Sequence, residues 1–219
     1  MNRSAFLARL REGLTGLAQE DIDELISDYE AHFTEGAAAG RSDDDIQLNV
    51  PGTLHYRPGV RDTVEVRGPA YLLGHLEIDE EDIRYDCSPR RRAPRIEIYM
   101  AGEEIREFSI RGSGNMILEN LDEERVEISI AGSGSVTATG AVERLSLSIA
   151  GSGDADLGAL SVRDMEIAIA GSGDVIASPR DRLEVSIAGS GDVDLLTNPA
   201  DIETSIMGSG RITGPSPTN

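Results

Sequence analysis

The chain has 219 residues, a formal net charge of −20 at pH 7, no Trp and only 4% aromatic residues. Its 20 basic residues are all Arg, and the one basic cluster is Arg90, Arg91, Arg92 and Arg95. Nucleic-acid binding needs a basic face, so this composition argues against it. A core without large aromatic side chains has to be built from Ile, Val, Leu and Ala, which suits thin layers of strands.

The first 46 residues have the pattern of two helices. Leu7, Leu10 and Leu14 recur at spacings of three and four, which marks one face of a helix. A second stripe follows with the same period: Ile22, Leu25, Ile26, Tyr29 and Phe33. We expect a helical hairpin with more apolar surface than it can hide, which makes Leu7, Leu10, Leu14 and Phe33 candidates for binding a partner.

This N-terminal region resembles the HAAS-type bacterial signalling domain, a small helical module. The resemblance lies in FLARLREGLTGL (6–17), DIDELISDYEAHF (21–33) and GRSDDDI (40–46). It implies a cytoplasmic signalling partner, and related proteins usually continue into membrane spans. This sequence departs from the pattern at Gln47, so the junction after Ile46 is either natural or marks a missing segment. The helix-start signal at Ser42, which no helix follows, favours a missing segment. No stretch has 18 uncharged apolar residues, and the N-terminus is not a signal peptide, so no membrane span is predicted here.

The tripeptide Gly-Ser-Gly recurs six times, at intervals of 18 to 20 residues. A fixed period near 19 is typical of a solenoid, in which each repeat is one coil. Two residues before each tripeptide stands an Ile: Ile110, Ile130, Ile149, Ile169, Ile187 and Ile206. Apolar and polar residues alternate around these positions, which predicts a strand with one buried face in every coil.

The glycines of these tripeptides are interpreted as structural turns. Gly tolerates positive φ, and corners stacked about 4.8 Å apart leave room only for small residues. The predicted turn residues are Gly112, Gly114, Gly132, Gly134, Gly151, Gly153, Gly171, Gly173, Gly189, Gly191, Gly208 and Gly210. A phosphate loop would lead into a helix, a hydrolase elbow would read Gly-x-Ser-x-Gly, and a calcium-binding nonapeptide would repeat every nine residues, so these alternatives fit less well.

A polar column follows the turns: Asn115, Ser135, Asp154, Asp174, Asp192 and Arg211. Its three Asp residues have two interpretations. They are either solvated turn residues or a weak ladder for a divalent cation such as calcium, because carboxylates in a row suit hard cations. No other cofactor is predicted. The isolated His55 and His75 lack the spacing of metal ligands, and the lone Cys87 is interpreted as a passive residue.

Residues 47–104 are expected to form degenerate coils that cap the solenoid. IEIYMAG (96–102) aligns with VEISIAG (126–132), and VEVRG (64–68) is a weaker copy. From about residue 48 to 213 the SIAGSGDV-type repeats resemble the head-GIN domain, also called an auto-transporter adhesin domain. The resemblance implies a right-handed parallel β-helix in the extracytoplasmic part of a membrane-attached protein. The predicted organisation is a helical domain (1–46), a solenoid (47–213) and a tail (214–219).

The sequence favours a non-enzymatic envelope protein with a signalling or adhesin-like role. In this hypothesis the helical module docks a protein partner, and the solenoid offers a rigid surface to another molecule or to a second copy. One alternative is a cytoplasmic solenoid that assembles end to end through its edge strands. A carbohydrate-acting β-helix enzyme is less favoured, because few aromatic residues are available to stack on sugars.

Overall fold

The computed structural model describes residues 45–59, 63–73, 75–78, 82–85, 95–102 and 105–215. The predicted helical hairpin lies outside these residues. The described chain is mainly β, with one short helix, α1 (Ala70–Leu73). The strands are β1 (Asp45–Leu48), β2 (Gly52–Pro58), β3 (Thr63–Arg67), β4 (Leu76–Ile78), β5 (Asp82–Tyr85), β6 (Ile96–Gly102), β7 (Glu107–Gly112), β8 (Asn115–Gly132), β9 (Ser135–Gly151), β10 (Asp154–Gly171), β11 (Val175–Gly189), β12 (Val193–Leu195), β13 (Asp201–Gly208) and β14 (Ile212–Thr213).

The repeats stack as parallel coils in register, which confirms the predicted β-solenoid, of about five turns. Ile130 lies beside Ile149, which lies beside Ile169, and the first glycines of the corners pair in the same way. The registers show that each repeat of the sequence is one coil of the structure.

The alternation of the sequence places the core inside the coils. The Ile column before the corners is at most 2% exposed from Ile110 to Ile187. After the central corners the next inward residues, such as Val136 and Ala138, are equally buried. A further bend follows near Gly140, where φ is +122° and a Cβ would lie 2.2 Å from the carbonyl oxygen of Leu121. Aliphatic side chains therefore fill most of this narrow interior. Two aromatic side chains, Tyr56 and Phe108, are also buried and pack against each other in the first coils, which the composition did not lead us to expect.

The N-terminal coils stack in an order that differs from their order in the chain. The coil formed by β1 and β2 lies between the coil formed by β5 and β6 and the coil formed by β7 and β8. The alignment of IEIYMAG with VEISIAG is wrong, because β6 pairs with β2 on the face that follows the corner. Strand β3 is not a copy of a coil strand either, since it runs antiparallel to β6. Period-two alternation is the same on every face of a solenoid, so the pattern alone could not choose the face.

A continuous strand crosses the junction at which the HAAS-like pattern stops. Strand β1 begins at Asp45, two residues before the predicted domain boundary at Gln47. Ile46 and Leu48 are at most 2% exposed and pair with Phe108 and Ile110 of the next coil. Residues on both sides of the junction thus belong to one strand of the solenoid.

Repeat corners and a candidate binding groove

All six first glycines of the Gly-Ser-Gly corners have positive φ, between +103° at Gly112 and +147° at Gly189. From Gly132 onward they also lie against the preceding coil. A Cβ at Gly151 would lie 2.3 Å from the carbonyl oxygen of Gly132, closer than real Cβ atoms approach. Gly112 differs, because a Cβ there would meet no atom within 4 Å. Backbone conformation and crowding therefore both require Gly at five corners, and conformation alone requires it at the first.

The second glycines are crowded without an unusual φ. A Cβ at Gly134 would lie 2.1 Å from the carbonyl oxygen of Gly114, and the later second glycines repeat this contact. The central Ser contributes through its backbone: the N–H of Ser152 donates to the carbonyl oxygen of Gly132 at 2.9 Å. Ser152 is exposed, and its hydroxyl makes no hydrogen bond within the described part of the chain. Close packing of the backbone explains these corners without any ligand.

The polar column after the corners forms a ladder of hydrogen bonds between coils. The Asp154 carboxylate accepts the N–H of Asp174 at 3.0 Å, and the Asp174 carboxylate accepts the N–H of Asp192 at 2.9 Å. Asn115 supplies the same acceptor to Ser135 at 3.3 Å. Each side chain thereby satisfies a backbone donor of the coil above it. The described residues include no group of three or more His, Cys, Asp or Glu side chains arranged to hold a metal ion.

The ladder ends on a cation. Asp192 accepts the backbone N–H of Arg211 at 2.9 Å and a guanidinium N–H of the same residue at 3.1 Å. These two hydrogen bonds, the side-chain one first, lower the pKa of Asp192 below its ordinary value. The charge of this column therefore changes from negative to positive at Arg211, in the last coil.

A second charged column lies on the outer surface, five residues before the Ile column of each coil. Its members pair in register from coil to coil: Arg125, Arg144, Asp164, Arg182 and Asp201. Two residues further along stands a Glu column, Glu127, Ser146, Glu166, Glu184 and Glu203, in which Ser146 replaces Glu. Between these columns runs an open groove of about 210 Å³, which we call the arginine groove; Arg125, Arg144, Ser146, Asp164, Arg182 and Glu184 lie along it.

The arginines of this groove differ in their partners. Arg182 forms ion pairs with Glu184 and Glu203, each at 3.7 Å. Asp164 is engaged by Arg163 at 3.4 Å. Within the described residues, Arg125 and Arg144 are exposed and form no salt bridge. In the neighbouring coils a Glu lies two residues after the position of Arg144, and Ser146 occupies that place on the strand of Arg144.

The charged lining of the groove is balanced, with Arg125, Arg144 and Arg182 against Asp164, Glu166 and Glu184, but only Arg182 of the three arginines has ion-pair partners among the described residues. Two guanidinium groups on adjacent strands, about 4.8 Å apart at the backbone, present forked donors to the same part of the groove. Such a pair matches the oxygens of a carboxylate or a phosphate. The volume is below the range of enclosed pockets for small molecules, so the groove suits one anionic group of a larger ligand.

The other predicted site residues fall in different places. Leu7, Leu10, Leu14 and Phe33 lie outside the described residues. His55 stacks on Tyr99 with ring centroids 4.5 Å apart. Within the described ranges, no helix is long and apolar enough to cross a membrane.

The sequence-based prediction missed the arginine groove. Its signal was nonetheless present, because Ser146 is the one non-Glu member of an otherwise uniform Glu column. The stack of Arg67 on Tyr99, 4.6 Å from the ring centroid, had no comparable signal. Strands β3 and β6 bring these two residues together through an antiparallel pairing that the repeat pattern does not predict.

Several solved structures resemble the chain in fold. A "putative adhesin" from Bacteroides fragilis NCTC 9343 aligns with a TM-score of 0.61 and 17% identity, over 80% of this chain and 93% of that one. A "Putative lipid binding protein" from Parabacteroides distasonis ATCC 8503 aligns with a TM-score of 0.51 and 22% identity, over 79% and 92% of the two chains. At these identities the likeness concerns the fold alone. A search of the curated proteins finds no match.

Two family models match the chain over separate ranges, and the first of these includes the whole of β1. The HAAS model matches residues 5–51, which extends past the point where the pattern was expected to stop. The model described as "Putative auto-transporter adhesin, head GIN domain" matches residues 83–199, more than half of the chain. With its parallel coils and Gly-Ser-Gly corners, the chain belongs to the head GIN domain family.

Proposed function

We propose that the chain is a non-enzymatic, adhesin-like binding protein of the bacterial envelope. In this proposal the helical module (1–46) docks a protein partner of a signalling system, and the solenoid (47–213) binds an anionic group through its arginine groove. The match to the head GIN family and the adhesin and lipid-binding names of its structural neighbours support a binding role. The HAAS match over residues 5–51 supports the docking role.

The observation that carries the binding role is the unpaired state of Arg125 and Arg144. Nearby arginines on the same surface have carboxylate partners, as Arg163 has in Glu143 and Asp164. Two like charges on adjacent strands repel each other, so this arrangement costs stability until an anion lies between them. A solenoid surface holds both groups at a fixed spacing, which lowers the entropic cost of binding.

The experiment measures binding of the full chain to polygalacturonate, to polyphosphate and to neutral dextran by calorimetry. The two anionic polymers distinguish a carboxylate from a phosphate. The double variant Arg125→Gln, Arg144→Gln should lose at least tenfold in affinity, since charge-assisted hydrogen bonds of this kind contribute about 1.5–3 kcal/mol each. The matched control is Arg111→Gln, Arg180→Gln, which removes the same charge from exposed positions outside the groove.

The control variant should bind as the native chain does, and binding should weaken as salt rises. Equal losses in both double variants would mean that overall charge, and not the groove, governs binding. Absence of binding to either anionic polymer would contradict the proposed ligand class.

The docking role of the helical module has its own test. Leu7→Ser and Phe33→Ser in the full chain should abolish co-purification with a signalling partner from a bacterial lysate, while binding at the arginine groove stays unchanged. Retrieval of the same protein by the native chain and by both variants would argue against a docking role for this apolar stripe.

A second candidate function, self-assembly of the solenoid, is favoured by one specific observation. Strand β13 is exposed at all eight of its positions. The other long coil strands each have a buried face.

A further inference from the structure

The last coil of the solenoid has an apolar face on which no described residue is stacked. Among the described residues, the large hydrophobic side chains that are exposed number six, and four of them lie in this coil: Leu196 (56%), Ile202 (49%), Ile206 (42%) and Met207 (70%). Ile206 continues the column of Ile187, which is 1% exposed. The repeat therefore extends one coil beyond the point at which its core is covered.

The backbone of this coil is also open on one side. Strand β13 pairs with β11 only, in parallel, so the outer edge of β13 keeps its N–H and C=O groups unpaired by the described strands. Such an edge recruits another strand, and only a strand satisfies its backbone groups at the spacing of a sheet. The occupant that fits must be extended and must bring apolar side chains to the interior face.

The opposite end of the solenoid does not have an open parallel edge of this kind. There the parallel stack ends in antiparallel strands, β3 on β6 and β4 on β5. These strands carry exposed ion pairs, Arg67 with Glu65 at 2.8 Å and Arg84 with Glu77 at 2.9 Å. Short, charged, antiparallel edges discourage further pairing. A head-to-tail filament would have to join the open end to this closed one.

We propose that the open end is completed by the open end of a second copy, through antiparallel pairing of the two β13 strands about a two-fold axis at Thr204. Strand β13 places Ile202, Thr204 and Ile206 on the interior face, in register with Leu183, Val185 and Ile187. A two-fold axis normal to the sheet keeps both interior faces on the same side. Only a register that pairs interior residues with interior residues is compatible with that symmetry.

The register centred on Thr204 pairs apolar residues with each other on the interior face and opposes no like charges on the outer face. Ile202 lies opposite Ile206 of the second copy, and Thr204 lies opposite its own equivalent, a pair that can hydrogen-bond. Glu203 lies opposite Ser205, and Asp201 lies opposite Met207, so no two carboxylates face each other directly. The register also accounts for Thr204, which breaks the apolar column of Phe108, Ile128, Leu147, Ile167 and Val185.

Cross-linking tests the register directly. In the full chain with Cys87→Ser, Thr204→Cys should form an intermolecular disulfide under mild oxidation, because opposed residues have Cα atoms about 4.5–5.5 Å apart, within disulfide reach. The matched control is Met207→Cys. Met207 is more exposed, but its two equivalents would be separated by six residues of strand, roughly 20 Å. Cross-linking of Met207→Cys at the rate of Thr204→Cys would overturn the register.

Sedimentation of the full chain between 1 and 200 µM gives the assembly state. The native chain should shift from monomer to dimer, and Ile202→Glu with Ile206→Glu should remain monomeric while keeping the native circular dichroism spectrum. A monomer at every concentration would overturn the proposal. That is the result expected if residues 1–44 cover the open end within one chain. A dimer that survives the double variant, or filaments that grow with concentration, would overturn it equally.

Discussion

The central coils and the last coil follow one sequence template but differ in what lies above them. Ile187 and Ile206 occupy the same position of successive repeats, and their exposures are 1% and 42%. Gly189 and Gly208 likewise share a positive φ and the same close contact with the coil below. The comparison shows that a solenoid repeat determines its own conformation, whereas its burial depends on the next coil.

The largest expected effect lies at a corner of the central coils. Gly151→Val should destabilise the solenoid by roughly 3–5 kcal/mol, because a side chain there combines a disfavoured φ with a clash against Gly132. Gly112→Val, with the same conformational strain but open space, should cost clearly less. Ser152→Ala should cost well under about 1 kcal/mol, since the hydroxyl is exposed. Chemical denaturation of the three variants measures this, and equal losses at both glycines would remove crowding from the explanation.

The next effect compares the two isoleucines directly. Ile187→Ala should lower the free energy of unfolding by about 2–5 kcal/mol, because it leaves a cavity in the core. Ile206→Ala should cost less than about 1 kcal/mol at concentrations of a few micromolar, where the last coil is uncovered. Denaturant titrations in dilute solution give both values. Equal costs would mean that the last coil is already buried in the single chain.

A smaller effect concerns the Asp ladder, in which Asp154 and Asp174 each cap the coil above. The cation interpretation predicts that millimolar calcium raises the melting temperature of the native chain. The triple change of Asp154, Asp174 and Asp192 to Asn should abolish that rise while keeping an acceptor oxygen at each step. An unchanged melting temperature of the native chain would leave the column with its hydrogen-bonding role alone.

The smallest effect is a pH dependence at the last coil. Hydrogen bonds from Arg211 lower the pKa of Asp192 in the folded chain from the ordinary 3.8. The stabilisation is therefore complete above the unfolded value and is lost as the pH falls through the lower, folded value. Asp192→Asn should lower the melting temperature slightly at pH 7, and the difference from the native chain should shrink as the pH falls below 3.8. The exposed Asp181→Asn serves as control, and a difference that does not change with pH would point to a cause other than ionisation.

Much of the fold follows from the sequence, because identical residues at a fixed period require identical environments. The Ile column and the Gly-Ser-Gly corners predict the coils, the strand faces and the positive φ values. The order of the first coils was not predictable, since β6 has the same alternation as the strands before the corner yet lies on the face after it. The arginine groove was missed for another reason. The sequence does not show which surface arginines form ion pairs. Only the structure shows that Arg182 and Arg163 have carboxylate partners and that Arg125 and Arg144 lack them.

Hydrogen exchange of β13 tests most directly the claim that a second copy completes the last coil. In a parallel edge strand, alternate N–H groups point away from the sheet, so these amides of residues 201–208 should exchange quickly at a few micromolar. At about 200 µM they should become protected, while the amides of β9 and β10 stay protected at both concentrations. Equal exchange of the β13 amides at the two concentrations would contradict the account.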